Sequence, residues 1–210
     1  MTHEVLAIII FSAIPIGFLH TLFGPDHYIP FIALSKANHW SMRKTVCVTL
    51  LCAIGHVLSA VLLGLLGILI GLSLTKINFI ENWRGEVAAW LLIAFGLIYF
   101  VWSLRAIARK THHHHHSNST PWILFILFIL GPCEPLIPLI LYPAIQGSAL
   151  SVLLVSLAFG TATIITMLSM VILSIRATHV FRWTFFEKYA NALAGLVIFS
   201  VGIAIKVFNL

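Results

Sequence analysis

Apolar residues run through this chain in stretches too long for a soluble core. Eighteen successive residues from Val87 to Leu104 carry no charge. Comparable stretches recur at about Val5 to Leu34, Thr45 to Leu72, Pro121 to Tyr142, Ala149 to Ile175 and Tyr189 to Phe208. Runs of about 18 or more apolar residues read as helices that cross a bilayer. Composition agrees: 60% of the 210 residues are hydrophobic, 9% are charged, and the mean hydropathy is +1.07. The expectation is an all-α polytopic membrane protein of six transmembrane helices, in contact with lipid. The first stretch reads as a resident span, since no Lys or Arg precedes it and it lacks a small-residue cleavage site.

Charge distribution orients the spans. Lys36, Arg43, Lys44, Arg105, Arg109, Lys110, Arg176, Arg182 and Lys188 fall in the odd-numbered loops, against Lys76, Arg84 and Lys206 on the other side. Basic loops stay in the cytoplasm, which puts both termini outside. The net charge of +6 is accounted for in this way and calls for no nucleic-acid partner. A phosphate-binding Gly-rich loop ending in Lys-Ser/Thr is missing, so ATP hydrolysis has no support. The reading is of a transporter rather than an enzyme, without an organic cofactor. Trp183, Phe185 and Phe186 beside Arg182 read as an interfacial belt.

Two of the apolar stretches are interrupted in the same way. Phe23-Gly24-Pro25-Asp26-His27 is echoed by Leu130-Gly131-Pro132-Cys133-Glu134, and Gly55-His56 by Gly160-Thr161, at offsets of 107 and 105 residues. Proline removes an amide donor and clashes with the carbonyl four residues back, so each Gly-Pro breaks a helix. The expected organisation is a three-helix repeat at 1–105, a His-rich cytoplasmic loop at 106–120 and a second three-helix repeat at 121–210. Three spans per half force opposite orientations. Inverted repeats with broken helices, here the first and fourth, are the plan of many secondary transporters.

Polar residues inside these spans are the candidates for chemistry, because a charge at mid-bilayer costs about 2.5–3.5 kcal/mol on insertion scales. His20 and His27 are seven apart, near two helical turns, and Asp26 adjoins His27. Imidazole and carboxylate together suit divalent first-row metals. Capping of the second half-helix by Asp26, with the histidines on freed carbonyls, is the plainer alternative. His56 is either a satisfied structural residue or a further ligand or proton relay. Glu134 is either a titratable group of a proton-coupled carrier or a neutral acid bonded to freed backbone. Cys133 is a thiolate donor or a small buried hydrophobe. Cys47, Cys52 and Cys133 form no CxxC pair, and no disulfide framework is indicated. The run His112, His113, His114, His115 and His116 reads as a metal collector in the cytoplasmic loop.

The stretch from His20 to His27 resembles the His-x4-Asp-His signature of the nickel/cobalt transporter families (NiCoT/NicO) and of the urease-accessory UreH-type membrane proteins. Here five residues rather than four separate His20 from Asp26. The resemblance implies that His20, Asp26 and His27 bind metal, and Gly55-His56 looks like the Gly-His of the next helix in those families. The His-rich loop is similar to that of the efflux branch. Gly131-Pro132-Cys133 resembles the Pro-Cys break of the more distant DsbD/cytochrome-c-biogenesis membrane domains, which carry electrons between thiols across the membrane. Those need a cysteine at each break, and the first break here holds Asp26 and His27 instead.

The sequence therefore points to a secondary transporter of divalent transition-metal ions in a bacterial-type inner membrane. Nickel or cobalt lead, with zinc and iron behind them, and buried carboxylates provide for proton coupling. A homo-oligomer is compatible with this reading. The alternatives are a DsbD-like transmembrane thiol/electron carrier and an anion or sulfite-type exporter. The last would line its site with basic residues, and no Lys or Arg falls at the centre of a span as drawn here.

Overall fold

The computed structural model describes residues 2–71, 73–109, 120–133, 135–180 and 189–208. Among these the secondary structure is helical throughout. Helix α1 covers His3–Phe23, starting where the Thr2 side chain accepts the Val5 N–H. It stops at Gly24-Pro25; a single 3-10 turn, Pro25–His27, follows, and then α2, Ile29–Ala37. Pro30 sits in the first turn of α2, where its missing N–H costs nothing. Helix α3, Met42–Leu69, is capped by the Ser41 side chain on the Lys44 N–H. Helix α4 runs over Leu74–Ala108. Two short helices follow, α5 (Thr120–Leu130) and α6 (Leu136–Ile145), and then two long ones, α7 (Ala149–Val180) and α8 (Ala190–Phe208).

Five of these helices, α1, α3, α4, α7 and α8, are long and apolar enough to cross a membrane. The expected fourth span is resolved into α5 and α6, 11 and 10 residues long, parted at Gly131-Pro132. Both expected breaks therefore exist. The third span is longer than its apolar run: α4 begins at Leu74 rather than near Val87. Lys76 and Arg84 consequently belong to a helix and not to a loop, and the Arg84 side chain is 11% exposed. The longer helix reflects a buried partner for Arg84, described below, which hydropathy alone does not show.

Helix α3 packs against α5, α6 and α7; α1 lies along α7, and α4 along α8. The apolar core has two parts. One gathers Phe31, Leu34, Cys52, Leu124, Phe128 and Met167. The other gathers Ala13, Ala60, Cys133, Leu136, Ile140 and Phe159. Large apolar side chains such as Phe11, Leu69, Trp90 and Leu150 face outward. So much exposed apolar surface marks a lipid-facing exterior rather than a water-facing one. This is a membrane protein.

The α4–α8 crossing is close enough for backbones to touch. A Cβ on Gly96 would lie 2.3 Å from Phe199 N, and one on Gly195 would lie 2.5 Å from Phe100 N. Small residues at such crossings are how helices approach in lipid. Gly96→Val forces the two helices apart. Overpacking of this kind costs about 1–3 kcal/mol, and thermal unfolding in detergent is expected to show a lowered midpoint.

Candidate metal centre

Three elements bring three imidazoles together. His20 lies in the last turn of α1, His27 ends the 3-10 turn, and His56 lies along α3. His20 and His27 do not share the face of one continuous helix. The chain turns at Gly24-Pro25, and the turn folds the His27 ring back toward α1. Glycine is required there, since a Cβ at position 24 would stand 2.4 Å from His27 Nδ1. The ring centroids are 4.8 Å apart for His20 and His27, 5.0 Å for His27 and His56, and 6.5 Å for His20 and His56.

One ligand atom from each of these three residues can be chosen so that all lie within 4.8 Å of one another. Among the described residues, this is the group of His, Cys, Asp and Glu side chains placed to share an ion. The Nε2 atoms of His20, His27 and His56 are all buried and all lack a hydrogen-bond partner. A buried polar atom left unsatisfied costs about 1–3 kcal/mol. Three such atoms on three neighbouring rings are a demand that a single cation would meet.

The other ring nitrogens explain the orientation. His56 Nδ1 lies 3.1 Å from the Phe128 carbonyl oxygen. His27 Nδ1 lies 3.2 Å from Gly24 O and 3.2 Å from Asp26 Oδ1. Carbonyls only accept, so in each ring Nδ1 carries the proton and Nε2 keeps its lone pair. Metal-bound histidines are held in this way by carbonyls and carboxylates behind them. Asp26, expected among the ligands, is on the far nitrogen of His27, where it fixes the ring. Each carbonyl also accepts one backbone N–H, from His27 onto Gly24 O at 3.1 Å and from Gly131 onto Phe128 O at 3.2 Å, and the imidazole takes its second acceptor position.

A second polar group surrounds the Gly131-Pro132 break. Arg84 Nη1 donates to Glu81 Oε1 at 2.5 Å, and Arg84 Nη2 donates to Ile129 O at 2.5 Å and Ser59 Oγ at 3.0 Å. Gly131 O stands 3.4 Å from the same nitrogen. Glu81 Oε2 accepts the Cys133 N–H at 3.2 Å, and Glu81 itself is 1% exposed. Neither Glu81 nor Arg84 was singled out from the sequence. The available signal was their i,i+3 spacing at the head of a span, where an acid and a base reach each other. With both terminal nitrogens engaged, Arg84 is not presented to an anion.

A cavity of about 30 Å³, room for a water molecule, touches Asp26, His27 and His56 between the two breaks and α4. Cys133 is fully buried among apolar side chains of the second core cluster and does not join the histidines. Glu134, the run His112–His116 and the aromatic group at 183–186 lie outside the described residues.

Residues 29–204 match the family described as cytochrome C biogenesis protein transmembrane region. The matched part contains His56 and Cys133 and begins just after His27. No curated protein and no solved structure matches the chain.

The Glu81–Arg84 pair yields a stability test. Breaking a buried pair by removing one partner costs about 3–5 kcal/mol, whereas replacing both by apolar residues is often neutral. Glu81→Leu is expected to lower the thermal midpoint sharply, and adding Arg84→Met to recover only part of the loss in the same measurement, because Ile129 O and the Cys133 N–H then lose their partners.

Proposed function

The chain belongs to the cytochrome c biogenesis transmembrane-region family, and we propose that it carries a divalent transition-metal ion across the membrane on His20, His27 and His56. The observation that supports this reading is the grouping of three histidines whose ligand atoms can lie within 4.8 Å of one another, each with a buried Nε2 that has no partner. Neutral imidazoles suit zinc, copper, iron and nickel. Nickel and cobalt rest on the likeness of His20, Asp26 and His27 to the nickel/cobalt signature, and the family match does not select among metals.

In this reading the six-span plan is two inverted three-helix halves in an inner membrane. His20 and His27 come from the first broken helix, and His56 is anchored to the second through Phe128 O. An ion bound by all three therefore spans both breaks, as a carrier site between two moving halves would. Asp26 holds the His27 ring and gives the ion a negative charge close by. Ions pass without chemical change, so no catalytic residue is needed. The cytoplasmic His112–His116 run would collect ions, which favours export, and Glu134 would supply proton coupling.

The family match itself favours a second reading, a transmembrane thiol/electron carrier, and points to it more directly than to metal transport. Such a carrier passes electrons by exchanging a dithiol for a disulfide, which takes two cysteines that meet. Cys47, Cys52 and Cys133 are all free thiols, with Cys52 and Cys133 buried. The first break, where a partner for Cys133 would stand, holds Asp26 and His27.

Two measurements separate the readings. Elemental analysis of purified protein is expected to give one metal ion per chain, lost in a His20→Ala, His27→Ala, His56→Ala variant that also lacks residues 112–116. Retention of the ion in that variant would remove the proposed site. Asp26→Ala is expected to lower metal affinity 10–100-fold, the usual loss when a carboxylate behind a ligating histidine is removed. Replacement of all three cysteines by Ser is expected to leave metal flux into vesicles intact. If flux is absent and thiol reduction across the membrane disappears with the cysteines, the second reading holds.

A further inference from the structure

We propose that Arg84, held by Glu81, is a positioning residue that sets the tautomer and direction of the His56 imidazole. The inference rests on the metal-carrier reading for its purpose, but its geometry is independent of any ion. His56 is bracketed on two sides by groups that Arg84 holds. Along α3, the Ser59 hydroxyl donates to the His56 carbonyl at 2.8 Å and accepts from Arg84 Nη2 at 3.0 Å. Across at the second break, Arg84 Nη2 binds Ile129 O at 2.5 Å, the carbonyl next to the Phe128 O that takes His56 Nδ1–H at 3.1 Å. Gly131, also reached by Arg84, lies so close that a Cβ there would stand 3.4 Å from His56 Nδ1.

The result is a closed ring of hydrogen bonds: His56, Ser59, Arg84, the 129–131 backbone, Phe128 and back to His56. Pro132 has no N–H to give, so Phe128 O keeps only the bond from Gly131 N at 3.2 Å, and a break inside the bilayer draws on neighbouring polar groups. Arg84 Nη2 donates to Ile129 O and stands 3.4 Å from Gly131 O, which holds the turn whose Phe128 O accepts both the Gly131 N–H and the His56 Nδ1–H. Glu81 keeps the guanidinium in place and takes the Cys133 N–H, so the far side of the break is pinned as well. His27 has a separate support in Asp26 and Gly24 O. Arg84 therefore acts on one imidazole of the three.

Nitrogen-15 histidine spectra of the metal-free full chain in detergent test this directly. Wild-type protein is expected to show His56 as the Nδ1–H tautomer, with Nε2 unprotonated. In Arg84→Gln, His56 is expected to lose that single state and show both tautomers, while His27 keeps the Nδ1–H tautomer. Cobalt(II) affinity is expected to fall at least tenfold. Ser59→Ala, a small change that leaves the charge pair in place, is expected to move His56 in the same direction by less. General loosening of the fold would mix the tautomers of His27 together with those of His56, and that outcome overturns the proposal. Unchanged His56 signals in both variants overturn it too. A wild-type protein with the Nδ1–H tautomer that binds no metal would sink the carrier reading and leave the positioning role standing.

Discussion

The hydrogen bond from His56 Nδ1 to the Phe128 carbonyl joins two parts of the chain 72 residues apart, and the site depends on it. Helix α5 stops at Gly131-Pro132, where Pro132 has no N–H to give Phe128 O, and that oxygen takes the Gly131 N–H together with the imidazole. Inside a bilayer the backbone groups freed by a break turn to neighbouring helices, side chains or ordered water. At the first break Gly24 O recruits His27, and at the second Phe128 O recruits His56. In both cases the imidazole gives its Nδ1 proton to the backbone and turns Nε2 inward. The breaks thus create the need for histidines and also fix how those histidines point.

Much of this was legible from residue types. The apolar runs gave the long helices, and Gly24-Pro25 and Gly131-Pro132 gave both breaks at the right residues. His20, His27 and His56 stood out because imidazoles are costly in apolar spans. Hydropathy could not show that Arg84 is inside the protein, since a basic residue at the edge of an apolar run looks like a loop. Its burial depends on Glu81, Ser59 and the Ile129 carbonyl, 45 residues further along. Nor could spacing assign Asp26 to the outer nitrogen of His27, because that follows from the turn of the chain.

Family and site draw attention to different atoms. The family description concerns cytochrome c biogenesis, and the likeness of Gly131-Pro132-Cys133 to its Pro-Cys break is visible in this chain. The same architecture here pairs one such break with a histidine-bearing break. A broken helix facing another across the membrane is a general means of placing reactive groups at mid-depth. In this chain the first turn holds Asp26 and His27 and the second Cys133 and Glu134. Cys133 is packed among Ala13, Leu136 and Phe159.

X-ray absorption at the metal edge of the cobalt- or zinc-loaded full chain, with residues 112–116 removed, tests the central claim most directly. The account predicts one ion per chain with three imidazole nitrogens at about 2.0–2.1 Å for zinc. Loss of one nitrogen shell component is predicted in His56→Ala. A shell dominated by sulfur at about 2.3 Å, or no bound ion, would contradict it.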